Sequence, residues 1–214
     1  MQANQKAWIG RKRAQAAVAK LESHGFDAHF YEDTQAASTA VLEMVASCET
    51  FGFGGSDTTR ELGLTAALRE KGKTVYDHWM TGISAAKDLE LRLAQGRCDC
   101  FFCSANAIAM TGEIVNVDGV GNRTNAMTFG PRKVMIVAGV NKLAADLHAA
   151  LKRVRETAAP MRARSLKMET PCAKTGVCSD CNTPQRICRV TTILHRRPML
   201  TDISVVLINT SLGF

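Results

Sequence analysis

Apolar residues recur along this chain in two alternating rhythms, helical spacing and short unbroken runs. Residues 4–23 are rich in Ala and place Trp8, Ala14, Val18 and Leu21 near helical spacing, so they predict a helix that stops at Gly25. A short strand follows over 27–32, then a helix over 34–47 with Val41, Met44 and Val45 on one face. The alternation continues with a strand at 50–55, a helix at 56–64 running into 65–72, a strand at 74–77, a helix at 84–96 and a strand at 99–105. Beyond a polar segment come a strand at 133–139 and a helix at 145–158. Strands alternating with helices in this way predict an α/β fold of three layers, a mostly parallel sheet covered on both faces. Residues 160–198 break the rhythm: they are rich in Cys, Pro and basic residues and predict an irregular excursion, from which a strand at 203–214 returns to the sheet. The whole chain, 1–214, reads as one domain.

Composition narrows the class. The chain has 214 residues, 46% hydrophobic and 22% charged, which suits a folded globular protein rather than a disordered one. No apolar run is long enough to span a bilayer and the N-terminal residues lack a signal-peptide pattern, so the expectation is a cytoplasmic protein. The net charge of +7 is uneven, with five Lys/Arg against Glu22 in residues 1–24 and eleven against three acids in 152–197. Such patches are either solvated helix faces or docking surfaces for an acidic partner or anionic substrate, and no zinc-finger, homeodomain or RNP pattern accompanies them, which argues against nucleic acid.

Two segments carry candidate chemistry. In FGFGGSDTTREL an apolar strand ends at Gly54-Gly55 and a helix opens near Ser56, with Thr58 and Glu61 spaced as a capping box. The turn is either a tight connection with a good cap or an anion site, in which glycine backbone and the hydroxyls of Ser56, Thr58 and Thr59 face a phosphate or carboxylate. It is neither a P-loop nor a dinucleotide fingerprint. The second segment, FFCSANAIAMTGEIVNVDGVGNR, starts as an apolar strand and then presents Ser104, Asn106, Glu113, Asn116, Asp118, Asn122 and Arg123, the composition of a ligand cleft. Arg123 could grip a carboxylate or phosphate through both arms of its guanidinium, completing a clamp opposite Ser56–Thr59. Asp118 before Gly119 either contacts ligand or makes a turn. Glu113 is the expected catalytic carboxylate, as a base, or else a structural hydrogen-bond acceptor. Lys142, after the strand at 133–139, supplies charge at a further edge of the cleft.

These segments, with FGPRKVMIVAGVNK, PCAKTGVCSDC and the closing LGF, resemble the LUD (lactate utilisation) domain family over roughly residues 10–214. The glycine turn is also similar to the phosphate-binding turn of ribose-5-phosphate isomerases, and SANAIAMTGEIVN resembles a motif of methylthioribose-1-phosphate isomerases. Those enzymes share a Rossmann-like superfamily with glucosamine-6-phosphate deaminases and CoA transferases. The resemblance implies that fold and a role in lactate or organic-acid utilisation, with isomerase- or transferase-like chemistry, in which Glu113 would by analogy with CoA transferases be a nucleophile, or membership of an L-lactate-oxidising complex. It also puts Asn106 where the isomerases have a catalytic Asp, and an amide is no general base. The alternative is a non-catalytic sensing or assembly subunit that docks an iron–sulfur partner protein; self-association into a homo-oligomer is compatible with either.

The eight cysteines do not read as a disulfide scaffold. Cys172, Cys178, Cys181 and Cys188 suit structural zinc or an iron–sulfur cluster, or else are free thiols or a redox pair, with Arg186 and Arg189 expected to lower their pKa values. Cys98, Cys100 and Cys103 fall on a strand, with Cys98 and Cys100 expected on one face and Cys103 on the other, as core residues.

Overall fold

The computed structural model describes residues 2–214. Its centre is a six-stranded sheet made of β1 (Asp27–Tyr31), β2 (Thr50–Phe53), β3 (Thr74–Asp77), β4 (Cys100–Cys103), β7 (Lys133–Gly139) and β10 (Asp202–Ile208). The order is β1-β10-β7-β4-β2-β3 and every neighbouring pair is parallel. α1 (Gln2–Ser23) precedes β1, and α2 (Thr34–Met44), α3 (Asp57–Glu61), α4 (Leu64–Glu70) and α5 (Ala85–Gln95) run between the strands up to β4. Both faces are buried: Ala14, Leu21, Phe101, Ile136 and Val205 belong to the core on one side, and Val41, Phe51, Phe102, Met135 and Val206 to the core on the other. This is the expected three-layer, Rossmann-like α/β architecture, and strands buried on both faces explain why each reads as a continuous apolar run. The strand order reverses direction at β2, where the chain goes first to β3 and then to β4 on the other side, and ligands of such sheets bind beyond the strand ends at this point.

The polar segment builds a second sheet that the alternation of elements does not reveal. β5 (Ala107–Ala109) and β6 (Ile114–Asp118) form a hairpin flanked by the two-residue β8 (Leu143–Ala144) and by β9 (Val190–Leu194), in the order β8-β5-β6-β9. α6 (Asn122–Thr128) follows the hairpin. Residues 160–198 are therefore not wholly irregular: they contribute β9, the short α9 (Pro171–Thr175) and most of α8 (Ala159–Ser165).

Three local departures from the sequence expectations have clear causes. The helix expected to run from 56 into 72 is split into α3 and α4 because Gly63 adopts φ +65, a left-handed conformation. The helix expected to end at 158 continues from α7 (Leu147–Arg153) through a π turn, Val154–Ala158, into α8. Ala159 N–H donates to Val154 O, and the wider π turn falls just before Pro160, which has no N–H for the helical ladder and whose ring crowds the preceding turn. Third, β4 begins only at Cys100, so strand alternation does not reach Cys98: Cys98 packs with Phe101 and Cys103 on one side of the sheet, and Cys100 packs on the other. All three are buried core thiols, as expected.

At the end of β7, a Cβ on Gly139 would collide with the carbonyl oxygen of Thr210. Gly139→Ala is expected to cost about 1–3 kcal/mol through forced backbone displacement, read as a lower urea midpoint at unchanged slope.

Candidate functional site

A cavity of about 430 Å³ opens at the carboxyl ends of β2, β3, β4 and β7, the size of a small-molecule site. The glycine turn and the polar segment do form facing parts of its wall, since Gly54, Gly55, Ser56 and Thr58 line it together with Ser104, Asn106, Asp118, Asn122, Arg123 and Lys142. Three expected residues are elsewhere. Glu113 lies in the turn between β5 and β6, where it accepts a hydrogen bond from Thr111 Oγ1 at 2.5 Å, and it does not line the cavity. The carboxylate expected to be catalytic therefore stands outside the cavity wall. Asn116 is fully buried and Thr59 nearly so, and neither lines the cavity.

Arg123 does not form the expected two-armed clamp. Its Nη1 donates to Asn116 Oδ1 (2.6 Å) and Ser104 O (3.3 Å), and its Nη2 to Val117 O (2.7 Å) and Asn106 Oδ1 (3.1 Å), so the four terminal N–H groups are committed to protein acceptors. Gly54 permits this position, because a Cβ there would press on the Arg123 stem. The asparagines are part of the same frame. Asn106 Oδ1 also accepts from Val117 N–H (2.8 Å), and Asn116 Oδ1 from Asn106 N–H (3.1 Å). Two donors on Asn106 Oδ1 fix the orientation of its amide, and among the described residues Nδ2 has no protein partner and remains a donor at the cavity wall. Asp118 caps α6, accepting from the backbone N–H groups of Arg123 (3.1 Å) and Thr124 (3.2 Å), and closes its own turn through Gly119 N–H. Asn122 is tied between Arg92 and Gln95. In the glycine turn the cap is Ser56, whose Oγ accepts from Thr59 N–H, rather than the Thr58–Glu61 box.

Lys142 is the charged group most altered by its surroundings. It follows β7 in a 3-10 turn, Val140–Lys142, and is only 4% exposed. Its Nζ lies 2.8 Å from Ser104 Oγ and 3.1 Å from Thr58 Oγ1. Burial pushes its amine down to about 7, helped by the positive charges of Arg153 and Arg123; Asp57 and Glu61 oppose this more weakly.

Several wall residues come from positions that sequence reading passed over. His78 and Trp79 follow β3 directly, a position where sheets of this type carry ligand contacts, so strand-end placement was the available signal. Burial first, then Arg92, pushes the His78 imidazole down to about 4, so it is neutral at physiological pH. The Gln95 amide nitrogen reaches Phe53 O, Tyr76 O and His78 Nδ1, which makes Nδ1 the acceptor and leaves the proton on Nε2. Arg162, on α8, pairs with both Asp57 oxygens (2.9 and 3.2 Å) and lies 4.7 Å from the Trp79 ring centroid. Arg153 donates to Asn141 O (3.0 Å) and to Asn106 O, bracing the strand end from behind.

Cys172, Cys178, Cys181 and Cys188 all line a second, small cavity of about 30 Å³, and Cys188 and Ile187 line the large one as well. The donor set suits zinc or an iron–sulfur cluster, yet among the described residues no group of three or more Cys, His, Asp or Glu is close enough to hold a metal ion. As they stand these are four free thiols. For Cys188 the expected lowering of pKa is reversed: burial raises it, and Cys172 adds to the effect, outweighing Arg186. That arginine spends its donors on Asp180 and on the carbonyls of Cys188 and Cys181.

The sequence model of the LUD domain matches residues 14–208. Among solved structures, a DUF162 family protein from Deinococcus radiodurans is similar in fold, with a TM-score of 0.54 over 93% of this chain and 98% of that chain at 12% identity. No curated protein matches the chain. Among the described residues no helix is long and apolar enough to cross a membrane.

Arg123→Lys should cost at least ~2 kcal/mol in urea unfolding, because one ammonium cannot satisfy four acceptors arranged for a planar fork. Lys142→Met tests the buried amine. In the parent protein the unfolded state holds the Lys142 proton up to its ordinary value of 10.5 while the folded state releases it near 7, so this group makes stability rise with pH across that window. The variant is expected to be more stable at pH 7 and to lose that rise, measured as unfolding free energy against pH.

Proposed function

The chain belongs to the LUD domain family, and from that premise we propose that it serves lactate and organic-acid utilisation by holding a small organic anion in the cavity beside Ser104, Arg123 and Lys142. In this reading it acts as an enzyme or as a subunit of a lactate-oxidising assembly. The observation that supports the anion most directly is uncompensated positive charge. Arg60, Arg92 and Arg162 each pair with an aspartate, whereas among the described residues Arg123, Lys142 and Arg153 have no carboxylate partner. Burial, and after it repulsion from Arg153 and Arg123, already lowers the Lys142 amine to about 7. A carboxylate placed there supplies the missing counter-charge and favours the ammonium.

The rest of the wall suits the same ligand. The Ser104 hydroxyl and Asn106 Nδ2 offer polar contacts at the charged end, while Trp79, Val154 and Ala158 give the carbon skeleton an apolar surface. The cavity does not contain Glu113, so binding does not depend on that carboxylate.

Trp79 lines the cavity and the chain has two tryptophans, so a Trp8→Phe background makes emission report on the site alone. Titration of that protein with L-lactate, pyruvate and inorganic phosphate should show saturable quenching by at least one of them. Affinity should fall about tenfold or more in Lys142→Met, and binding should take up a proton near neutral pH, measured by calorimetry in buffers of different ionisation enthalpy. Unchanged Trp79 emission with all three anions would overturn the proposal.

A further inference from the structure

We propose that Ser104 and Lys142 are a nucleophile and base acting on the carbonyl of an ester or thioester of a small carboxylic acid. The inference deepens the anion reading of this cavity, in that the acid released is the anion held there. Its ground is geometric. Ser104 stands at the carboxyl end of β4, its Oγ is 2.8 Å from Lys142 Nζ, and both residues line the cavity although each is only 4% exposed. Thr58 Oγ1 donates to Leu212 O at 3.4 Å and receives an N–H from Lys142. As the ammonium, Lys142 Nζ donates to Ser104 Oγ as well; when the amine is neutral, its lone pair accepts the Ser104 hydroxyl proton instead, the arrangement an activated serine needs.

The surroundings favour this chemistry over a plain structural contact. A lysine can serve as base only when neutral, and the charged groups around it decide that: burial, Arg153 and Arg123 lower its pKa, while Asp57 and Glu61 on α3 raise it less. The same two guanidinium charges stabilise negative charge developing on a carbonyl oxygen. Arg123 Nη1 also holds Ser104 O at 3.3 Å, fixing the backbone that carries the nucleophile, and Asn106 Nδ2, two residues on, is a donor without a protein partner among the described residues.

In the step, Lys142 Nζ takes the Ser104 proton as the Oγ–C bond forms, and the carbonyl π pair moves onto oxygen. Collapse of the intermediate breaks the C–O or C–S bond, and the leaving alkoxide or thiolate takes its proton from the Lys142 ammonium. Water then repeats the sequence on the acyl-Ser104 ester, releasing the acid and restoring the hydroxyl. The carboxylate product, by favouring the Lys142 ammonium, is an inhibitor.

The test is labelling of the full chain with an alkyl fluorophosphonate, followed by intact mass and peptide mapping. The expected result is one adduct on Ser104, forming at a rate that rises with pH through an apparent value of about 7. In Lys142→Met the rate should drop at least about 100-fold with cooperative thermal unfolding retained. Ser104→Cys guards against a merely structural effect: its thiol should be alkylated by iodoacetamide faster than the same thiol in the Lys142→Met background. Absence of an adduct on Ser104 in folded protein, or equal rates with and without Lys142, overturns the proposal. Anion quenching of Trp79 read on the same samples separates the two ideas, since loss of labelling with intact quenching sinks only the nucleophile, and the reverse sinks only the anion site.

Discussion

The interaction on which the site depends is the guanidinium of Arg123, inserted between the two sheets. It joins Ser104 at the end of β4 to Asn106 at the start of β5 and to Asn116 and Val117 of β6, so the central sheet and the small sheet share one set of hydrogen bonds. A planar donor fork with four partners is rigid, and hydrogen bonds to a charged group are among the stronger ones in a protein. The chain must also bring α6 close to the glycine turn, which Gly54 allows. The segment rich in Asn, Asp and Gly is thus chiefly a frame, and the cavity is what the frame leaves open.

That frame sets the electrostatics of the cavity. It places a permanent positive charge beside Lys142, while Arg153 supplies a second by holding the backbone at Asn106 and Asn141. Among the described residues no aspartate pairs with them, although Asp57, Asp77 and Asp88 pair with the neighbouring arginines. The consequence is a lysine that sheds its proton near neutrality, held by two hydroxyls. Binding of an anion and activation of Ser104 draw on this one feature in opposite protonation states, which links the two proposals physically.

The segment between Pro160 and Pro198 has a different role from the one its composition suggests. It carries Arg162 across to Asp57 and Trp79, and Cys188 and Ile187 onto the cavity, so it closes the site from above the strand ends. The four thiols gather around a space of about 30 Å³ adjoining the large cavity, and burial governs the acidity of Cys188 more than the nearby guanidinium does.

The sequence by itself determined the alternation of elements and hence the parallel three-layer sheet, because strands buried on both faces must be apolar throughout and the helices between them must be amphipathic. It also located the two segments that form the cavity wall, through Gly54-Gly55 and the run from Ser104 to Arg123. Roles within those segments were decided only by tertiary structure. Glu113 and Arg123 have equal standing as polar residues in one motif, but the hairpin turn carries Glu113 away from the cavity and the inter-sheet junction uses up the donors of Arg123. His78, Trp79 and Arg162 have no local pattern of their own, and they become site residues because strand ends and α8 converge there, while Arg153, at the end of α7, braces the wall without lining it. Lys142 shows the difference most plainly: its identity is in the sequence, but a pKa depends on burial and on charges distant in the chain, which only the folded arrangement sets.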